Sequence, residues 1–446
     1  MNQHEIERRQ NVSRHIHSLW TLNGSEESGL AAPFLEGRID VLGIYVFFAD
    51  FDDEWLDAEV VDSPGNITID CRNCGDFSYH DFTENYMIPN KPVIIHGLTK
   101  NWKATREWVD DVGEPNLAKL SSLFGTDPAN VHVQPHAGFS QARPQMQDWT
   151  LQEYALWWYE HREAQDEDQQ LLYMKDYTFV SMHPDYEAYE CPVYFQDDWL
   201  NEYTQSAYKF IYLGPKGTST RLHADVLRSY SWSANVCGVK RWYLIPPKYT
   251  YLLYDVFCQH LASHLQCTDA TLYPGLSRAR TFATEIIQQA GETIFVPSGW
   301  HHSVENLAPT LSINHNWLNG TNVHWSWAKL KTELESLLLE TQKNDVGEKL
   351  ESDNPADRNG SSQIGDDFVL LWMILSTKAR NILHAERNAM VELNLNACLS
   401  VLKEMRTFVV EGKDEGLAER CERDIGGLIL SIENYLDSSD STTCTS

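Results

Sequence analysis

Long apolar runs are missing from this chain. The longest, Val41–Phe48 and Phe368–Leu375, fall far short of the roughly 20 residues that a membrane-spanning helix needs, so no span is expected. The first twenty residues, MNQHEIERRQNVSRHIHSLW, lack the apolar core of a signal peptide, and the expected location is cytoplasmic. Cations are scarce as well: 35 Lys+Arg stand against 64 Asp+Glu, a formal charge of −29. Non-specific nucleic-acid binding is mostly cations neutralising phosphates, so direct nucleic-acid binding is disfavoured and a basic protein partner is favoured. A disulfide framework is also lacking, because nine irregularly spaced cysteines fit reduced thiols. Cys71-Arg-Asn-Cys74 has the spacing of half a zinc site, but no second pair lies near enough to complete four ligands, and it reads as two thiols in a turn.

What is present is ample core material, 42% hydrophobic over 446 residues, enough for roughly two to three domains. Residues 1–67 carry no readable pattern, an apolar stretch running straight into the acidic cluster Asp50–Asp57. Asn90-Lys-Pro-Val-Ile-Ile-His-Gly97 is a turn followed by a short β-branched run. Leu151–Gln169 is helical text, and Leu171–Phe179 returns to strand. Between Tyr208 and Trp317 short β runs follow one another, punctuated by Gly, Pro and Asn: Tyr208–Leu213, Ser229–Val236, Arg241–Ile245, Thr293–Val296 and Thr310–Asn316. Such spacing predicts an antiparallel barrel or sandwich, with Tyr249–Leu276 as an insertion. After Gly320 apolar residues recur at helical spacing. The polar run 344–366 reads as a linker and 438–446 as a disordered tail.

A mononuclear iron oxygenase needs two imidazoles and one carboxylate around the metal, with positions left open for substrate and dioxygen. Residues two apart on a strand point the same way, so His-x-Asp supplies two ligands from one strand. The motif alone is weak. With 17 His and 64 acidic residues in 446, chance gives roughly two matches, and four occur. His161-Arg-Glu163 and His384-Ala-Glu386 sit in helical text, where two residues apart means about 200° around the axis, and their side chains diverge. His183-Pro-Asp185 reads as a loop. Only His223-Ala-Asp225 lies among the predicted barrel strands. The same region holds Gly291-Glu-Thr-Ile-Phe-Val-Pro-Ser-Gly-Trp-His-His-Ser-Val-Glu-Asn306, in which two histidines open a strand. Neighbours on a strand face opposite sides, so one of His301 and His302 points inward.

These segments resemble the JmjC-domain oxygenases, which use Fe(II) and 2-oxoglutarate. The resemblance covers roughly Phe82–Gly320, through Asn90–Gly97, Asp197-Asp-Trp199, Thr220–Asp225, Cys237–Pro246, Phe295–Asn306 and Ser312–Trp317. It implies an α+β fold: a double-stranded β-helix, or cupin-like jelly-roll barrel, with flanking helices and a helical C-terminal region. On that reading 68–320 is the catalytic domain, 321–343 a helix and 367–437 the C-terminal helices. The family pattern selects His302 as the third metal ligand beside His223 and Asp225. It matches Lys240 to the lysine that pairs with the distal carboxylate of 2-oxoglutarate, and a buried dianion without a cation would be very costly. It matches Thr220 and Tyr173 to groups reaching the same carboxylate, and Asn316 to an amide near the metal-bound end. Ser233 stands where many relatives have Asn. Within the family the likeness is to a lysyl hydroxylase subfamily, the type-four JmjC-domain proteins, which implies a lysine of the eukaryotic translation release factor as substrate. The rival enzyme reading is N-methyl-lysine demethylation on the same core. The rival of another class is a binding module that has lost catalysis. A homodimer through the C-terminal helices is a further expected partner.

Overall fold

The computed structural model describes residues 69–134, 145–161, 171–256, 260–345, 355–411 and 422–438. The expectations for 1–67 and for the tail after residue 438 lie outside these. Two compact units emerge. One holds residues up to Tyr194 with Ala207–Asp225 and Ser231–Asn316; the other holds Phe195–Ser206, Val226–Tyr230 and the chain from Trp317 onward.

Short strands separated by turn residues build the first unit, as the punctuation of the sequence predicts. They are β1 (Asp70–Asn73), β2 (Val93–His96), β3 (Pro128–Gln134), β4 (Gln145–Thr150), β5 (Leu171–Tyr177), β6 (Lys209–Gly214), β7 (Ser219–His223), β8 (Tyr230–Cys237), β9 (Lys240–Ile245), β10 (Thr284–Gln288), β11 (Glu292–Val296), β12 (His301–Asn306) and β13 (Thr310–Trp317). They form a nine-stranded sheet in the order β1-β2-β11-β8-β13-β6-β5-β3-β4 and a four-stranded sheet in the order β10-β9-β12-β7. β1 pairs with β2 in parallel, whereas β2 and β8 flank β11 antiparallel, giving the jelly-roll that the resemblance implies. The tight connection between β8 and β9 requires glycine: Gly238 has φ +85°, and a Cβ there would stand 2.2 Å from the Pro309 carbonyl oxygen.

Alternation decides which side chains enter the barrel. On β9, Lys240, Trp242 and Leu244 are buried and Arg241 is half-exposed, pairing outward with Glu285 at 3.2 Å and Glu305 at 3.5 Å. Trp242 and Leu244 pack with Ile286 and Val304 of the smaller sheet against Ile94, Ile294 and Val296 of the larger one. Each such aliphatic or aromatic group contributes about 1.5–3 kcal/mol on burial. The insertion between β9 and β10 begins as a 3-10 turn at Pro247–Leu253 and ends in the helix Leu276–Phe282. Its Tyr251, Leu252, Leu253, Leu265 and Tyr273 cluster with Leu222 and Ile245 of the smaller sheet. The expected helix Leu151–Gln169 is α1 (Leu151–His161); the remainder of that span is not among the described residues.

The second unit contains α2 (Val323–Asp345), α3 (Pro355–Ile382), α4 (Ala389–Glu411) and α5 (Gly427–Asp437). Leu371, Leu375, Leu395, Leu402, Met405 and Ile432 are fully buried within it. Two expectations need correction. The stretch 344–366 is not a linker throughout, because α3 begins at Pro355; proline suits a first helical turn, which needs no N–H there. His384-Ala-Glu386 lies in a turn between α3 and α4 rather than within a helix. Asn388 caps α4, its Oδ1 accepting from the N–H of Met390 and Val391, both at 3.0 Å, and a cap of that kind needs non-helical backbone before it.

Candidate active site

Strand register brings the two histidines together. His302 pairs with His223 across β12 and β7 and with Leu244 across β12 and β9. Since Leu244 faces the barrel interior, so does His302, while His301 turns to the insertion, its Nδ1 3.2 Å from Thr250 Oγ1. The imidazole rings of His223 and His302 lie 4.3 Å apart, centroid to centroid. His223 closes β7, and Asp225 sits just beyond the strand end, so the pair straddles a strand terminus rather than occupying one strand. Asp225 Oδ2 lies 4.0 Å from His302 Nε2. One ligand atom from each of His223, Asp225 and His302 lies within 4.8 Å of the other two. Among the described residues this is the one group of three or more His, Cys, Asp or Glu arranged so closely; Cys71 and Cys74 do not join such a group.

Neighbouring groups fix each of the three. His223 Nδ1 lies 2.7 Å from the Arg221 carbonyl oxygen and His302 Nδ1 3.0 Å from that of Trp300. Each Nδ1–H therefore donates to backbone, and each Nε2 is left with its lone pair toward the other two groups, the outer-shell arrangement that orients ligating imidazoles. Ser231 Oγ donates to Asp225 Oδ2 at 2.6 Å. Burial, reinforced by the neighbouring imidazole of His302, lowers the His223 pKa to about 4, which keeps its imidazole neutral. Two residues along β8 from Ser231, on the same face, the buried hydroxyl of Ser233 has no hydrogen-bond partner among the described residues.

Lys240 is 1% exposed, and its Nζ donates to Ser312 Oγ at 2.7 Å. Burial and the nearby charge of Lys175 push its pKa down to about 7. Asn314 Nδ2 also donates to Ser312 Oγ, at 3.1 Å. Asn316 follows on the same face of β13; its backbone N–H donates to the Tyr208 carbonyl. Tyr173 is buried beside Lys240's neighbour Tyr212, ring centroids 6.2 Å apart, with Asn306 and Thr220 in hydrogen-bond reach of its hydroxyl, and burial raises its pKa. Gly214 makes room for it: a Cβ there would stand 2.5 Å from the ring. Thr220 pairs with Val304 in the register of β7 and β12. The other His-x-acid matches go elsewhere. His183 Nε2 pairs with Asp127 at 2.5 Å, and His161 Nδ1 contacts the Trp157 carbonyl.

Ser231, Ser312, Asn314 and Lys175 escaped the sequence reading. One signal was available: Ser312, Asn314 and Asn316 recur at every second position of a strand buried along its whole length, which marks a polar face turned to an interior site.

The sequence pattern of the Cupin-like domain family matches residues 79–322. The chain is 42% identical over 276 residues to the "Arginine-specific demethylase JMJ20" of Arabidopsis thaliana, covering 57% of this chain and 58% of that protein. It is 42% identical over 281 residues to the "2-oxoglutarate and iron-dependent oxygenase JMJD4" of Danio rerio, covering 59% and 64%. A more distant relative, the "Bifunctional arginine demethylase and lysyl-hydroxylase psr-1" of Caenorhabditis briggsae, is 27% identical over 265 residues, covering 56% and 62%. The alignments thus span less than two thirds of each of these relatives.

Proposed function

The chain belongs to the Cupin-like domain family, and from that premise we propose that it is an Fe(II)- and 2-oxoglutarate-dependent oxygenase that hydroxylates a lysine of a protein substrate. One observation carries the reading: two imidazoles and a carboxylate converge within 4.8 Å, a donor set that suits ferrous iron and leaves further positions open. The residues fit the cosubstrate as well. Lys240 is a buried cation whose hydrogen-bond partner is a neutral hydroxyl, so a carboxylate arriving there would meet an uncompensated charge. The unpaired hydroxyl of Ser233 is a donor available on the same inner face as Ser231.

His223, Asp225 and His302 would hold the iron. Lys240, Thr220 and Tyr173 would receive the distal carboxylate of 2-oxoglutarate, and Asn316 would serve the metal-bound end. Iron and cosubstrate, when bound, supply the oxidation of an unactivated C–H bond by dioxygen, one oxygen atom entering the product and the other the succinate formed with carbon dioxide. The protein's own part is geometric. The Arg221 and Trp300 carbonyls hold the imidazole tautomers, Ser231 holds one oxygen of Asp225, and burial of His302 and Lys240 keeps bulk water from the centre.

The proposed substrate is a basic, lysine-bearing segment of the translation release factor, which the family resemblance implies and which the net charge of −29 would attract. The proposed location is the cytoplasm, and a second copy of the chain is a proposed partner through the C-terminal helices, where Val369, Met373, Val410 and Leu430 are exposed. The names of two relatives favour a second reading, removal of N-methyl groups, in which the hydroxylated carbon leaves as formaldehyde. Incubation of release factor and of methylated basic peptides with the chain, Fe(II) and 2-oxoglutarate separates the readings by mass: gain of one oxygen for hydroxylation, loss of a methylene for demethylation. Absence of succinate in every incubation would leave a binding module.

A further inference from the structure

Lys175 shares a face of β5 with Tyr173, two residues before it, and a strand irregularity follows directly. Met174 pairs with Leu213 of β6, yet Tyr177 pairs with Ile211, so one extra residue is accommodated on β5, a bulge of the kind that re-aims side chains. Met174 and Tyr177 both line one apolar cavity with Ile211 and Leu213. The two residues between them, Lys175 and Asp176, instead meet Tyr212, which points to the opposite face. Asp176 takes the left-handed conformation at φ 54°, and its carboxylate accepts from the Tyr212 hydroxyl at 2.8 Å.

Lys175 Nζ lies 5.8 Å from the Tyr212 ring centroid and 5.9 Å from that of Tyr173. Lys240 Nζ lies 5.9 Å from the same Tyr212 ring. Two ammonium groups therefore flank one aromatic ring. Among the described residues neither forms an ion pair: Lys240 donates to Ser312, and the carboxylate nearest Lys175 in sequence is engaged by Tyr212. Arg221 adds its charge to the same region, and burial together with these cations lowers the Lys175 pKa despite the opposing charge of Asp176. Like charges held this close are unfavourable unless an anion enters between them.

We propose that Lys175 is a second cation of the cosubstrate pocket, placed on the Tyr173 face of β5 so that it and Lys240 together receive a dianion. This inference rests on the cosubstrate reading above. Its test uses the full chain with Mn(II) in place of iron, so that binding is measured without turnover. 2-Oxoglutarate is titrated calorimetrically into the unaltered chain, Lys175→Met and Lys175→Arg, with metal content and thermal midpoint recorded for each. Lys175→Met should weaken 2-oxoglutarate about tenfold or more, keep its metal, and melt no lower than the unaltered chain without ligand, since a desolvated charge has been replaced by an apolar group of similar volume. Lys175→Arg should recover part of the affinity and the salt dependence that the methionine variant loses. Unchanged 2-oxoglutarate affinity in a metal-loaded Lys175→Met overturns the role of Lys175 and leaves the cosubstrate reading standing. If the unaltered chain binds no 2-oxoglutarate, both fall.

Discussion

Replacing Lys240 by alanine probes the distal end of the proposed cosubstrate pocket. Lys240 is buried, and its pKa is pushed from 10.5 to about 7 chiefly by desolvation, which amounts to a penalty on the charged form of roughly 5 kcal/mol. A carboxylate placed against the ammonium would offset most of that. Removing one partner of a buried ion pair typically costs about 3–5 kcal/mol, about two to four decades in affinity, a magnitude consistent with the desolvation that the pair must overcome. Lys240→Ala should therefore raise the 2-oxoglutarate concentration for half-maximal succinate release by at least about two decades, with iron content unchanged. Lys240→Arg should restore only part, the guanidinium being planar and bulkier. Succinate release is measured against 2-oxoglutarate concentration for each variant, with iron assayed in parallel. An unchanged half-saturation in Lys240→Ala would refute the reasoning and pass the role to another cation such as Arg221.

Asp225→Ala and His302→Ala should lose iron and turnover, while His301→Ala, which faces Thr250, should keep most of both; equal iron loss at His301 and His302 would contradict the register argument. The lowered Lys240 pKa also predicts a pH dependence. Between about 7 and 10.5 the unfolded chain holds the proton that the folded, ligand-free chain has released, so the penalty is complete below pH 7 and fades as pH rises. Ligand-free Lys240→Met should consequently melt higher than the unaltered chain at pH 6.5, with the gap closing toward pH 10; a gap independent of pH would argue against the charge penalty. Gly214→Ala should push the Tyr173 ring aside, costing about 1–3 kcal/mol of stability and raising the 2-oxoglutarate requirement, and a variant matching the unaltered chain in both melting and half-saturation would show that the ring can yield without cost.

The barrel strands were readable because they are short, β-branched and bounded by Gly or Pro; alternation required one of His301 and His302 to face inward, and the family resemblance selected His302. Lys240 came from the resemblance as well, and the fold places it on one face with Trp242 and Leu244. Lys175 shares the face of Tyr173 by alternation, but only the pairing of β5 with β6 shows that this face meets Tyr212. Ser231 and Ser312 were equally hidden: each meets a group from another part of the chain, Asp225 and Lys240, and one chain read alone does not show which segments become neighbours. Helix limits failed for a local reason. Pro355 starts α3 in text whose polar composition reads as loop, with its buried apolar positions further along, whereas the cap at Asn388 interrupts text that reads as one continuous helix.

The fate of dioxygen tests the proposed chemistry most directly. The chain is incubated with Fe(II), 2-oxoglutarate, a lysine-bearing release-factor segment and isotopically heavy dioxygen, and both peptide and succinate are weighed. The prediction is one heavy oxygen retained on the lysine side chain and one in succinate, with neither product from Asp225→Ala. An unmodified peptide without succinate, or equal product from the unaltered and Asp225→Ala chains, would contradict it.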